Sequence, residues 1–241
     1  MHWAYQKQMN EKFAAGLKDA DPSLWPAGIE AARAIQEDMR HKVVVADNFG
    51  TVRRIAGVDV GYDMERNLGR ASIVVIDVES MELVASAQAY LTPGFPYVPG
   101  FLSFREVPVI LRALVCLPEQ PDLLMVDGQG IAHPRRFGIA AHLGVETGLP
   151  SVGVAKSLLT GRYEEPGQLK GSQSVLLDRS GIERIGTVLR SKDKVKPLFI
   201  SPGHRVSQES AVRFVQNCLT KYRLPEPTRL ADRFSKMIRV E

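Results

Sequence analysis

IAGVDVGYD at residues 55–63, RASIVVIDVE at 70–79 and LVASAQAYLT at 83–92 are three strand-like runs in close succession. They are rich in β-branched residues, and the gaps hold Asn67, Gly69, Glu79 and Ser80, which suit tight hairpins. Working outward, Phe104–Leu117 has helical periodicity, with Val107, Ile110, Leu111 and Leu114 on one face. LLMVD at 123–127 is a short, continuous apolar run of the kind a buried strand shows, and GQG ends it. A helical stretch, Arg135–Thr147, leads to a second buried strand, 150–156. This order predicts an α/β fold: a mixed sheet of three antiparallel strands followed by parallel βαβ units, flanked by helices. The first and fourth strands would lie side by side and parallel, with Asp59 and Asp127 at matching ends.

The remainder reads as a strand pair (172–178 and 183–191), a strand at 197–201, and helices over 208–222 and 226 to about 239. Upstream, Asp21–Met39 has helical spacing with Asp21 as cap and Pro22 in the first turn, and 42–47 reads as extended. No linker or repeat divides the chain. It is read as one domain over 1–241, with an N-terminal helical extension to about residue 40.

Composition narrows the function classes. With 44% hydrophobic and 24% charged residues, the chain is of ordinary globular type. Cys116 and Cys218 lie in apolar helical stretches and read as buried free thiols; no Cys/His cluster suggests structural zinc. No apolar run approaches the roughly 18 residues of a membrane-spanning helix, and the start lacks the apolar core of a signal peptide, so no membrane association is expected and the cytoplasm is the default compartment. Positive charge is concentrated late: residues 151–241 hold 17 Lys+Arg against 9 Asp+Glu. A basic half attracts polyanions, although a solvated surface reads the same way.

Carboxylates within apolar strands are costly unless paired or metal-bound, and two on neighbouring strands repel without a cation between them. Hard oxygen ligands suit Mg²⁺ or Mn²⁺. Asp59 and Asp127 are therefore candidate metal ligands, with turn caps as the alternative reading. Gly57 and Gly61 around Asp59 leave a further reading open, a phosphate loop like that of actin-like ATPases.

Five segments taken together resemble the endonuclease V family: IAGVDVGYD, PGFPYVPGFLSFRE (93–106), the run from LLMVDGQGIAHPRRFG (123–138) to LLTG at 161, ISPGHRVS (200–207) and LPEPTRLADRFS (224–235). They occur in family order from about residue 28 to about 239. The resemblance implies a ribonuclease H-like fold, in agreement with the strand order. It also implies a repair endonuclease directed at deoxyinosine, cutting the second phosphodiester bond 3′ to the lesion by metal-activated water and leaving 3′-hydroxyl and 5′-phosphate ends. Mg²⁺ is the implied cofactor, with Mn²⁺ able to substitute. The partner is inosine-containing DNA, with single-stranded DNA and RNA also open, and no obligatory protein partner is implied.

By the same resemblance, Asp59, Asp127 and Glu106 match the metal-binding acids, Lys156 a lysine near the scissile phosphate, and Asp232 a looser acidic position near the metal. Glu106 also reads as an acid favouring a helix N-terminus. Tyr97, with Pro96 beside it, matches a wedge that enters the duplex at the lesion; a tyrosine packed under its own loop is the alternative. Gly128 and Gly130 would leave backbone N–H groups open to an extruded base, and His133 would support the pocket or contact the strand. His204 and Ser207 would contact backbone phosphate, if SPGHRVS is more than a plain turn. Gln129 stands where many relatives carry a histidine, so that histidine's role does not carry over. An inosine-specific ribonuclease and a non-catalytic nucleic-acid-binding protein of this fold remain as rivals.

Overall fold

The computed structural model describes residues 26–237. The proposed cap Asp21, Pro22 and the last residues of the C-terminal helix lie outside them. Strand β1 (Arg54–Asp63) pairs antiparallel with β2 (Leu68–Asp77), and β2 with β3 (Leu83–Leu91). Asn67 and Met81, both at positive φ, turn the two hairpins. Helix α2 (Leu102–Val115) carries the chain across one face of the sheet to β4 (Leu123–Val126), which lies parallel to β1. Helix α3 (Ile139–Thr147) then leads to β5 (Ser151–Ala155), parallel to β4. The expected hairpins and βαβ units are thus present.

Beyond β5 the sheet continues antiparallel through β8 (Leu198–His204), β7 (Arg184–Leu189) and β6 (Gln173–Leu177), giving eight strands in the order β3-β2-β1-β4-β5-β8-β7-β6. Helix α1 (Ile29–Met39) precedes the sheet, and α4 (Gln208–Asn217) and α5 (Glu226–Lys236) end the chain.

Side-chain alternation splits the core into two layers. Ala56, Val58, Leu124 and Val126 pack with Val107, Ile110 and Leu111 of α2 and with Leu143 of α3. Ile55, Leu123, Met125 and Val152 face the other way, against Val212 and Val215 of α4 and Ala231 of α5. Because β4 is buried on both faces, its sequence shows an unbroken apolar run rather than alternation.

Three local expectations differ. Residues 43–47 form no strand: Val44 runs beside His204 and Arg205, donating its N–H to His204 Nδ1 at 3.3 Å, without a ladder. Residues 135–138 are loop, so α3 starts at Ile139. Cys116, just past the end of α2, is exposed; only Cys218 is buried, and burial pushes its thiol up to about 12.

Candidate active site

Asp59 sits within β1, not at its end. Strand β4 stops at Val126, opposite Val58, and the Asp127 N–H donates to the Val58 carbonyl at 2.9 Å. Asp127 therefore leaves the sheet beside Asp59. Gly57 and Gly61 share the face of β1 that Asp59 occupies, by the two-residue strand period. Helix α5 lies on them: a Cβ at Gly57 would come 2.0 Å from the Pro227 carbonyl oxygen, and one at Gly61 2.7 Å from that of Ser235. The glycines make room for a helix, which removes the phosphate-loop reading of Gly-x-Asp-x-Gly. Gln88 Nε2 donates to the Phe234 carbonyl at 2.8 Å, and Arg70 donates to that of Ser235, holding the end of α5 over β1 and β2.

That seat brings Asp232 to the two strand aspartates. Asp59, Asp127 and Asp232 each offer a carboxylate oxygen within 4.8 Å of the others'. Lys156, one residue past β5, places Nζ 2.5 Å from Asp127 Oδ2 and 2.7 Å from Asp232 Oδ1, and Lys236 Nζ lies 2.6 Å from Asp232 Oδ2. Burial would raise the Asp232 carboxyl, but the two lysines hold it below the usual range. Asp127 is pushed up to about 7, by burial foremost and by Asp59, against the pull of Lys156.

Glu106 approaches from the opposite face. It lies in the second turn of α2, whose first turn has no acid, so the helix-dipole reading does not hold. The residue is buried and accepts a hydrogen bond from Tyr62 Oη at 3.1 Å. Burial pushes its carboxyl up to about 8; the Tyr62 hydrogen bond opposes this and the charges of Asp59 and Asp127 add to it. The site thus concentrates carboxylates that resist ionising together and offers only hard oxygen donors. This donor set fits a small divalent cation such as Mg²⁺ or Mn²⁺ and does not fit a thiophilic metal.

Next to this cluster is a cavity of about 360 Å³ whose walls include Tyr97, Ser103, Asp127, Gly128, Gln129 and Leu158. Tyr97 is 70% exposed, so it is not packed under its own loop. Pro96 is exposed beside it, whereas Phe95 and Phe101 anchor the loop in a cluster with Phe104 and Ala32. The base of the loop is pinned at the Gly100 carbonyl, which accepts from Gln36 Nε2 at 3.1 Å, Arg135 Nη2 at 2.6 Å and His133 Nε2 at 3.0 Å. His133 Nδ1 accepts the Arg135 N–H at 3.2 Å, so the ring is the neutral tautomer with its proton on Nε2. Burial, with Arg135 beside it, pulls this imidazole down to about 4. Gln129 spans the cavity wall, donating from Nε2 to the Ser157 carbonyl at 3.0 Å.

Other assignments are corrected. The Gly130 N–H is not open to a base, because it donates to Ser201 Oγ at 2.9 Å; its lack of a Cβ lets the Pro202 carbonyl come close. Gly128 does line the cavity, where Ile139 closes on its α-carbon. SPGHRVS is no loop: residues 201–204 complete β8. His204 pairs with Ser151, at the start of β5, whereas Lys156 follows its end. His204 and Ser207 therefore lie at the opposite end of the sheet from the carboxylates. Ser207 there caps α4, its Oγ accepting the Ser210 N–H at 3.1 Å.

The profile of the endonuclease V family matches residues 37–233. This chain belongs to the endonuclease V family. The endonuclease V of Azotobacter vinelandii is 51% identical over 211 residues, which cover 88% of this chain and 95% of that protein. The crystal structure of the Streptomyces avermitilis enzyme is 47% identical with a TM-score of 0.83, over 88% of this chain and 93% of that one. Endonuclease V of Ciona intestinalis, solved with DNA containing an inosine followed by a ribo-adenosine, is 28% identical with a TM-score of 0.73, over 85% and 94%. The ribonuclease H-like fold of the family accords with the eight-stranded sheet. Family membership makes the chain a nuclease of the DNA-repair class. Among the described residues no helix is long and apolar enough to cross a membrane.

Tyr62 and Arg135 lie within the segments that resemble the family, but the linear sequence gives neither a role. Tyr62 is three residues from Asp59 and so on the other face of β1, and only the packing of α2 brings it to Glu106.

Proposed function

We propose that this protein is a divalent-metal-dependent endonuclease that recognises deoxyinosine in DNA and cuts the second phosphodiester bond 3′ to it, leaving 3′-hydroxyl and 5′-phosphate ends. The observation that carries this reading is the convergence of Asp59, Asp127 and Asp232, of which Asp127 also lines the adjoining cavity of about 360 Å³ that exposed Tyr97 borders. The Ciona relative with inosine-containing DNA supports the choice of lesion.

Asp59, Asp127 and Asp232 would hold the ion, with Glu106 behind them. When bound, a Mg²⁺-type ion makes water more acidic at neutral pH and offsets charge developing on a phosphoryl group. Lys156 adds a fixed positive charge at the same place, able to neutralise a non-bridging phosphate oxygen. Tyr62 holds the Glu106 carboxylate in one orientation. Tyr97 fills the gap that an extruded base leaves in the stack, recovering part of the lost stacking. The rigid Pro-containing loop and the triple anchor at Gly100 lower the entropy cost of presenting that ring. His133, neutral and engaged on both nitrogens, supports the loop rather than transferring a proton.

The test is nicking of a duplex with one inosine in the presence of Mg²⁺. Cleavage at the second bond 3′ to inosine, abolished in Asp59→Asn and Asp127→Asn, is expected. Absence of nicking under conditions where a known inosine nuclease cuts would end the proposal.

A further inference from the structure

One exposed basic surface has no part in the site described above. Lys192, Lys194 and Lys196 alternate along the turn within the eight-residue connection between β7 and β8, and all three are exposed. Among the described residues none of them has a carboxylate partner. The acid in the turn, Asp193, is occupied by the Lys170 N–H at 2.6 Å. Lys170 is also exposed, and its Nζ donates to the Thr220 carbonyl at 3.2 Å, bringing the loop that carries exposed Lys221 alongside.

The turn is rigidly built. Arg190, only 3% exposed, lies beneath it and donates to the carbonyls of Gly167 (3.0 Å), Pro166 (2.9 Å) and Val195, with Glu165 Oε1 at 2.6 Å. Lys194, at a φ of 57°, donates its N–H to the Gln168 carbonyl at 2.9 Å. Buried charge spent on shaping a turn that displays three unpaired like charges calls for a polyanion outside it.

Its position says which part of a polyanion. Arg223 Nη2 donates to the Lys156 carbonyl at 2.7 Å and to that of Pro197 at 2.9 Å, while Nε donates to that of Lys196 at 2.8 Å. One guanidinium thus joins the end of the lysine turn to the lysine of the carboxylate cluster. The cavity is lined by Ser103 of α2, by Ile139 of α3 and by Lys156 itself, whereas Arg223, which holds the Lys156 carbonyl, leads into α5 on the other face of the sheet. A strand with its extruded base in the cavity and its phosphate at the carboxylates continues toward Arg223 and the lysines.

We infer that Lys192, Lys194 and Lys196 form a phosphate-binding surface for the DNA strand on the 3′ side of the cut. The inference rests on the nuclease reading above and adds to it where the downstream flank is held. Binding there is electrostatic and blind to sequence, so it shows as salt dependence, with a slope of about 0.9 per phosphate neutralised.

The experiment measures dissociation constants of the full chain for an inosine duplex, with Ca²⁺ in place of Mg²⁺, across a range of KCl concentrations. Wild type is compared with the triple variant Lys192→Gln, Lys194→Gln, Lys196→Gln, on duplexes with a long 3′ flank and with that flank trimmed to the cut. On the long flank, the variant is expected to bind roughly tenfold more weakly and to lose about two to three from the slope of log K against log salt. Trimming the flank should weaken wild type alike and erase the difference. An unchanged slope, a difference that survives trimming, or one that follows the 5′ flank instead would overturn the inference. Wild type that fails to nick any inosine duplex in Mg²⁺ would remove the nuclease reading itself, a separate result. Thermal melting of the variant within a few degrees of wild type shows that these surface changes leave the fold intact.

Discussion

The Pro227 carbonyl oxygen occupies the space that a side chain at Gly57 would need, 2.0 Å from where its Cβ would stand. This contact sets the height of α5 over β1 and with it the reach of Asp232 to Asp59, two carboxylates 173 residues apart in the chain.

Gly57→Ala is expected to lift α5 from β1. Overpacking of this kind costs about 1–3 kcal/mol, visible as a lower melting temperature. Inosine nicking should fall further than stability does, because Asp232 moves away from its partners. Gly61→Ala, with 2.7 Å at its tightest approach, should do the same more mildly. A Gly57→Ala protein with unchanged melting and full activity would show that α5 does not need this seat.

Removal of the metal should be readable in stability. The carboxyls of Glu106 and Asp127 are held near 8 and 7 by burial foremost and by the charge of Asp59 beside both, so a bound cation stabilises the fold by offsetting that charge. Differential scanning fluorimetry should show a melting temperature that rises with Mg²⁺ and drops on adding EDTA. Asp59→Asn should abolish most of the rise. Because protons compete for the same oxygens, the apparent ion affinity should weaken as pH falls through 8 toward 7. An ion-induced shift equal in wild type and Asp59→Asn would contradict the assignment.

His142 predicts an acid limit to stability. It is fully buried between the rings of Phe104 and Phe137, with centroids at 5.2 and 5.0 Å, and neither ring nitrogen has a hydrogen-bond partner among the described residues. The nearest carboxylate, Glu146 Oε1, stands 3.9 Å from Nε2. Burial pulls the imidazole down to about 3 from an ordinary 6.5. The unfolded chain therefore binds a proton that the folded one refuses between those values. Stability from this residue is full above pH 6.5 and is lost on acidification at about 1.4 kcal/mol per pH unit. Urea titrations from pH 7 to pH 5 should show that slope in wild type and a reduced one in His142→Leu. Equal slopes in both proteins would place the acid sensitivity elsewhere.

The wedge and its footing should separate by substrate. Tyr97→Ala is expected to reduce nicking of inosine in duplex DNA by about tenfold and in single strands far less, since base stacking on an aromatic ring contributes about 1–3 kcal/mol. Gln36→Leu removes one of the three donors at Gly100 and should act in the same direction with smaller size. Nicking rates on the two substrates, measured side by side, check both. Equal losses on duplex and single strand would mean that Tyr97 contributes something other than strand separation.

Much of this protein could be read along the chain, because strand and helix periodicity repeat every few residues and hairpins close over short gaps. The succession of β1, β2 and β3, the apolar run of β4, and the pairing of Asp59 with Asp127 across parallel neighbours all follow from such local patterns. Family motifs added Glu106, Lys156, Tyr97 and, more loosely, Asp232. Tertiary packing decided what no local pattern carries. Asp232 reaches the strand aspartates because Gly57 and Gly61 seat α5; Tyr62 meets Glu106 because α2 crosses the opposite face. Gly130 and His204, which read as substrate contacts, are held by Ser201 and Val44 because β8 inserts beside β5 in the antiparallel sense. Local sequence sets which backbone shape is cheapest for a segment. Which distant segments then share a surface is set by the steric fit and hydrogen-bond satisfaction of whole layers, and that is where the third carboxylate and the footing of the wedge were decided.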